Sequence, residues 1–111
     1  MKNEKVYLYH IRECLDRISN YTKKGKKAFF ADTMIQDAVL RNLQTMTEST
    51  RYLSDSLKKN YPETDWKSIS GFRNVLAHDY LGIDLNQIWE IVEKDLPAFR
   101  KTIEKMIKEL K

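Results

Sequence analysis

The chain has little of what turn-rich and disulfide-built folds require. Its 111 residues include one cysteine, three glycines and two prolines. A single thiol, Cys14, excludes an internal disulfide and any zinc cage built from cysteines. So few Gly and Pro cannot supply the closely spaced turns of a β-sandwich or barrel. No apolar run approaches the ~18 residues of a membrane span. The amino-terminal stretch from Met1 to Cys14 lacks the apolar centre of a secretory signal. These absences point to a cytoplasmic, water-soluble chain with no membrane partner, folded as one domain over residues 1–111.

What the chain has is charge and helical periodicity. Basic residues outnumber acidic ones 20 to 16, a surplus compatible with a nucleic-acid partner but shared by many other proteins. The densest cluster is Lys23, Lys24, Lys26 and Lys27, interrupted only by Gly25. It reads either as a solvated loop between helices or as a phosphate-binding patch.

Leu8, Ile11, Leu15 and Ile18 form the one-sided stripe of an amphipathic helix from about Glu4 to Lys23, ended by Gly25. Tyr7, Cys14 and Tyr21 widen that stripe, and Cys14 reads as a small core residue. Asp32 can cap a second helix. The seven-residue recurrence of Val39, Met46 and Leu53, and of Leu43, Thr50 and Leu57, predicts one long helix from about Thr33 to Asn60. Its middle, from Thr45 to Thr50, is polar for a core element and suits either an exposed turn or a cleft wall. A third helix starts at Thr64–Asp65 and carries Trp66, Ile69, Phe72, Arg73, Leu76 and Ala77 in helical spacing. Gly71 inside it costs stability unless another backbone comes close. A fourth starts after Gly82 with Asp84 and Gln87 in a capping-box pattern. Leu85, Val92, Phe99 and Met106 hold one seven-residue register through Pro97, and so do Trp89, Leu96, Ile103 and Leu110. That continuity predicts a single helix kinked at Pro97. The fold class is therefore all-α, an up-down bundle of four to five helices.

One stretch does not behave like core: Arg73-Asn74-Val75-Leu76-Ala77-His78-Asp79-Tyr80. Five residues set Arg73 and His78 ~140° apart on an ideal helix. They converge only if the helix ends or deforms between Leu76 and Tyr80, and Gly82 is placed to terminate it. Such a set suits RNA cleavage without metal. A histidine can take the proton of a ribose 2′-hydroxyl or protonate the leaving 5′-oxygen. An arginine matches phosphate oxygens bidentately and stabilises the phosphorane. A two-fold dimer would supply the second histidine that a full acid–base cycle needs. Spacing alone leaves a helix C-cap role for His78 as the competing reading.

The same eight residues resemble the R-x4-H-x-Y signature of the HEPN superfamily, in its HepT branch of toxins paired with MNT-type nucleotidyltransferase antitoxins. The resemblance extends through Phe30-x-Asp32, Asp37-Ala38-Val39-x-Arg41-Asn42-Leu43, Asp65-Trp66, Gly71-Phe72-Arg73-Asn74, Ile88-Trp89 and Asp95-Leu96-Pro97. It implies a helical bundle that dimerises through the motif-bearing face and acts as a metal-independent endoribonuclease. It makes Arg73 and His78 catalytic, Asn74 supporting, and Tyr80 a residue adenylylated by the nucleotidyltransferase. Family members usually read Gly-Glu-Ala near the middle of the second helix. This chain reads Thr47-Glu48-Ser49, which keeps the acid, Glu48, as a supporting candidate without its small neighbours.

Other candidates read as structural. His10 reads as a surface residue, Trp66 and Trp89 as core, and Met34, Met46 and Met106 as gap-fillers. No cluster has metal-ligand spacing, and no glycine-rich loop is present to hold ATP, so no cofactor is expected. Two alternatives stand beside the ribonuclease: a non-catalytic helical partner presenting Tyr80 or a bound nucleotide to a nucleotidyltransferase, and a purely structural dimerisation bundle.

Overall fold

A computed structural model describes residues 3–110. Helix α1 spans Glu4–Tyr21, α2 Lys26–Ala31, α3 Thr33–Thr50, α4 Asp55–Lys59 and α5 Trp66–His78. A 3₁₀ turn at Tyr80–Gly82 leads to α6, Leu85–Glu90, which passes through a π-helical turn, Ile91–Asp95, into α7, Leu96–Glu109. No strand occurs among the described residues, and the architecture is the expected all-α bundle.

The stripe on α1 is the heart of the core: Leu8, Ile11, Cys14, Leu15 and Ile18 are all buried. They pack against Val39, Leu43 and Met46 of α3 and Phe99, Ile103 and Met106 of α7. Each apolar side chain withdrawn from water contributes about 1.5–3 kcal/mol. Helices α1 and α7 run antiparallel, fixed at the rim by Arg12–Glu104 at 3.2 Å and Arg100–Asp16 at 2.8 Å. These exposed pairs set register more than stability.

The long second helix does not form. Helix α3 stops at Thr50, the chain turns through Arg51–Leu53, and Ser54 starts the short α4 by accepting from Leu57 N–H at 3.1 Å. The cause is local chemistry. Thr45, Thr47, Ser49 and Thr50 all turn their hydroxyls back onto carbonyls three or four residues earlier, which competes with helix propagation. Thr47 and Thr50 are buried and line a groove, which decides for a cleft wall over an exposed turn.

Two further differences have clear origins. Residues Lys26–Ala31 are helical rather than loop, because Phe29 is fully buried and pulls the segment onto the bundle. The fourth segment is continuous, as its register requires, but its irregularity is the π turn directly before Pro97. Pro97 has no N–H for the carbonyl of Glu93 and its ring crowds that carbonyl. The wider turn, with Leu96 N–H donating to Ile91 O, accommodates the mismatch. Met34 is exposed, so of these three methionines Met46 and Met106 alone fill gaps in the core.

Candidate active site

Helix α5 carries the Arg/His stretch, and its rotation about its own axis is set at its start. Asp65 accepts from Ser68 N–H at 3.0 Å and from Ser68 Oγ–H at 2.7 Å. Those two bonds hold the Asp65 carboxyl below the usual carboxylate range, the side-chain bond contributing most. Trp66 lies edge-on to Phe99, ring centres 6.1 Å apart, and donates Nε1–H to Tyr61 O at 3.1 Å. Leu76 is then buried while Ile69 and Phe72 are half-buried, so the inward direction of α5 is defined.

The other positions follow at 100° per residue. Phe72 and Val75 lie on one flank of Leu76 and face the groove. Arg73 lies about 60° to the opposite flank and is half-buried. Asn74 and His78 are four apart, share the outward face, and are both exposed. Among the described residues, the side chains of Arg73, Asn74, His78 and Tyr80 have no hydrogen-bond or ion-pair partner.

The helix ends where the sequence requires a break, between Leu76 and Tyr80. Asp79 N–H donates to Val75 O at 2.9 Å, the last such bond, and Asp79 leaves helical geometry. Gly82 N–H donates to Asp79 O at 3.1 Å to close the 3₁₀ turn. Gly82 is not the terminator: only Gly25 has a positive φ among the described residues. A Cβ there would stand 2.7 Å from Asp79 Oδ1, a contact the exposed carboxylate relieves by rotating. The turn redirects Tyr80, 42% exposed, and presents the fully exposed Leu81. It does not redirect His78, which is still helical. Within one chain Arg73 and His78 therefore remain ~140° apart around the axis.

Glu48 sits half-buried on α3, and its carboxylate pairs with Arg51 at 2.6 Å rather than with any residue of the α5 stretch. The groove beside α5 encloses ≈ 740 Å³ between α3, α5 and the π turn, lined by Met46, Thr47, Phe72, Val75, Ile91 and Asp95 among others. Neither Arg73 nor His78 lines it. The polar run of α3 was its only sequence signal. His10 is not the simple surface residue its neighbours suggest: its Nδ1 is 2.7 Å from Ser49 Oγ, and its Nε2 is 3.9 Å from Cys14 Sγ. The partner lies 39 residues away, beyond the reach of spacing arguments. Burial raises the Cys14 thiol pKa and leaves it a packing residue. Trp66 is only half-buried, whereas Trp89 is core, with its Nε1–H unpartnered among the described residues.

Among the described residues no group of three or more His, Cys, Asp or Glu could hold a metal ion, and no helix is long and apolar enough to cross a membrane. Fold and site together define a small helical bundle whose motif helix ends in an exposed histidine and passes into a tyrosine-bearing turn. The family model described as ribonuclease HepT-like matches residues 11–106, and the chain belongs to that family. A Methanocaldococcus jannaschii protein named "Putative RNase MJ1380" is 35% identical over 104 residues, 93% of this chain and 95% of its own. "Probable ribonuclease HepT" of Thermococcus cleftensis is 30% identical over 108 residues, 96% and 98% of the two chains. A second Methanocaldococcus jannaschii protein, "Gamma-glutamylcyclotransferase and putative RNase MJ0434", is 36% identical over 110 residues, 98% of this chain. This chain spans 50% of that relative's length. No solved structure matches the chain at a significant level.

Proposed function

We propose that the protein is a cytoplasmic endoribonuclease that cleaves RNA without metal, at a composite site formed by two copies of the chain. The observation that carries this reading is the end of α5: an exposed His78 with Asn74 beside it and an unpaired guanidinium one flank away, on a chain of the HepT-like family. The names of its relatives support the reaction class.

The chemistry follows from the groups. One His78 takes the proton of a ribose 2′-hydroxyl, and the 2′-oxygen bonds to the adjacent phosphorus. The bond from phosphorus to the 5′-oxygen breaks, and the second copy's protonated imidazole gives its proton to that oxygen. The products are a 2′,3′-cyclic phosphate and a 5′-hydroxyl. Arg73 neutralises the extra charge on the phosphorane with a planar fork that fits two oxygens. Asn74, one helical turn from His78, supports the imidazole. Glu48 acts no more closely than through the Arg51 pair at the end of α3. Two copies answer a geometric difficulty, since within one chain the guanidinium and imidazole diverge around α5.

In this reading the protein is a toxin, and an MNT-type nucleotidyltransferase antitoxin silences it by adenylylating Tyr80. The exposure of Tyr80 on a short turn supports that role and would serve equally a non-catalytic chain that merely presents Tyr80. The experiment is cleavage of RNA carrying a single 2′-deoxy substitution at the mapped cut. The 2′-deoxy bond should stay intact, while neighbouring bonds keep the cyclic-phosphate and 5′-hydroxyl ends. Cleavage of the deoxy bond would exclude the mechanism. No cleavage of any RNA by the unmodified chain, together with nucleotide transfer to Tyr80 in a separate incubation with the nucleotidyltransferase, would establish the presenting role instead.

A further inference from the structure

Residues 17–31 contain five cations, Arg17, Lys23, Lys24, Lys26 and Lys27, and no carboxylate. The four lysines are exposed on either side of Gly25, whose φ of 97° turns the chain from α1 into α2. The segment is pinned. Gly25 N–H donates to Thr22 O at 2.9 Å and Phe29 N–H to Gly25 O at 3.1 Å. The Gln36 side-chain amide donates to Phe29 O at 3.0 Å, and the buried Phe29 ring lies 5.3 Å from Trp89.

No carboxylate among the described residues pairs with these charges. Among the described residues Arg12, Arg17, Arg51, Lys94, Arg100 and Lys105 all have carboxylate partners, but none of the four lysines does. Lys26 and Lys27 open α2, the end of a helix where cations are unfavourable, and the four like charges repel one another. What sets them apart from the other unpaired cations is that four stand within five residues, all exposed, with no carboxylate between residues 17 and 31.

Their position is shared with the motif. Because α1 and α7 are antiparallel, the carboxyl end of α1 and the start of α6 lie at one end of the bundle, where Phe29 meets Trp89. Helix α5 reaches α6 through only residues 79–84, which brings His78 to that same end. The molecule measures 42 × 27 × 23 Å, so the end is at most 27 Å wide. At about 3.4 Å per phosphate, a stacked strand of about eight nucleotides spans it.

We infer that Lys23, Lys24, Lys26 and Lys27 form a backbone-tracking surface that holds the phosphates of a single RNA strand flanking the bond presented to His78. The inference rests on the ribonuclease reading for the nature of its ligand. The lysines carry no base specificity; they position the strand and raise its local concentration.

The test uses the full chain with His78→Ala, which binds without cutting, and a fluorescent single-stranded RNA long enough to cross the bundle end. Adding Lys23→Gln, Lys24→Gln, Lys26→Gln and Lys27→Gln should weaken binding. The slope of log affinity against log salt should become shallower by about 0.7 for each phosphate that is no longer neutralised. Lys59→Gln with Lys108→Gln, exposed at the far end, should leave affinity and slope near their starting values. With His78 restored, the four-lysine variant should show KM raised more than kcat is lowered. Equal affinity and slope with and without the four lysines would overturn the surface, whatever the cleavage result. Lysine-dependent binding by a chain that never cleaves RNA would keep the surface and remove the ribonuclease reading. Unchanged far-UV circular dichroism and a melting temperature no lower than the parent's would show that the variants remain folded.

Discussion

Arg73 and His78 differ in how the fold holds them, and that difference sets what their variants should do. His78 is the last helical residue and stands in solvent, so His78→Ala should leave the melting temperature nearly unchanged while abolishing cleavage. Arg73 lies half-buried against the flank of α5. Arg73→Ala should cost both packing and charge, and Arg73→Lys should restore little activity because an ammonium cannot form the two-pronged contact. Recovery of most of the rate by lysine would show that charge alone suffices there. Tyr80 offers a separate check. Incubation with ATP, magnesium and a cognate nucleotidyltransferase should add nucleotide mass to the Tyr80 peptide and stop cleavage without unfolding. Mass added elsewhere, or a modified Tyr80 that still permits cutting, would remove the switch. The Arg-x4-His-x-Tyr pattern was legible in sequence, and so was the break between Leu76 and Tyr80. The identity of the terminating residue was not: Asp79 ends the helix, and Gly82 only closes the 3₁₀ turn after it.

The elements differ in how well periodicity foretells them. Helices α1 and α5 and the α6–α7 pair follow their apolar spacing because a single core face dominates each. The predicted helix over residues 33–60 fails because a seven-residue apolar recurrence does not register Ser54, whose side chain caps a new helix, or hydroxyls that weaken and bend the end of α3. Four Ser/Thr hydroxyls between Thr45 and Thr50 bond backward, and Ser54 starts a new helix. Helix α2 gives no periodic signal because six residues are too few for a period to register. Gly71 makes a sharper test of α5. Beyond its chain neighbours and the local backbone of its own helix, nothing lies within 4 Å of where its Cβ would be, and its φ is not positive. Gly71→Ala should therefore stabilise the chain by about 0.5–1 kcal/mol in thermal or denaturant unfolding. A loss of stability would mean that another molecule packs onto that exposed face of α5.

The tie between α7 and the α4–α5 link is pH-sensitive. Tyr61 O–H donates to Glu109, and that bond, with burial, pushes the phenol up to about 12. Its folded pKa exceeds its unfolded value, so the stabilisation is complete below pH 10 and lost as pH rises from about 10 to 12. Unfolding curves should show a steeper loss across that window than those of Tyr61→Phe. Identical pH dependence in the two proteins would mean that the phenol–carboxylate bond contributes nothing.

For the molecule as a whole, the chain exposes an apolar surface beside the motif. Val75, Tyr80 and Leu81 are exposed apolar side chains on and just after α5, with Leu81 fully exposed. The ≈ 740 Å³ groove opens on the Phe72–Val75 flank of the same helix. A two-fold partner covering this side would bury that surface and set two imidazoles across one cleft. Sedimentation at micromolar concentration should find a dimer, and Leu81→Asp should shift it toward monomer. A wild-type chain that stays monomeric would remove the two-histidine site.

The claim that the end of α5 is a metal-free catalytic site for RNA is tested most directly by cleavage in excess EDTA, wild type beside His78→Ala. The expected result is unchanged cutting by the wild type in EDTA and none by the variant. Loss of activity in EDTA with recovery on adding a divalent metal, or full activity in His78→Ala, would contradict it.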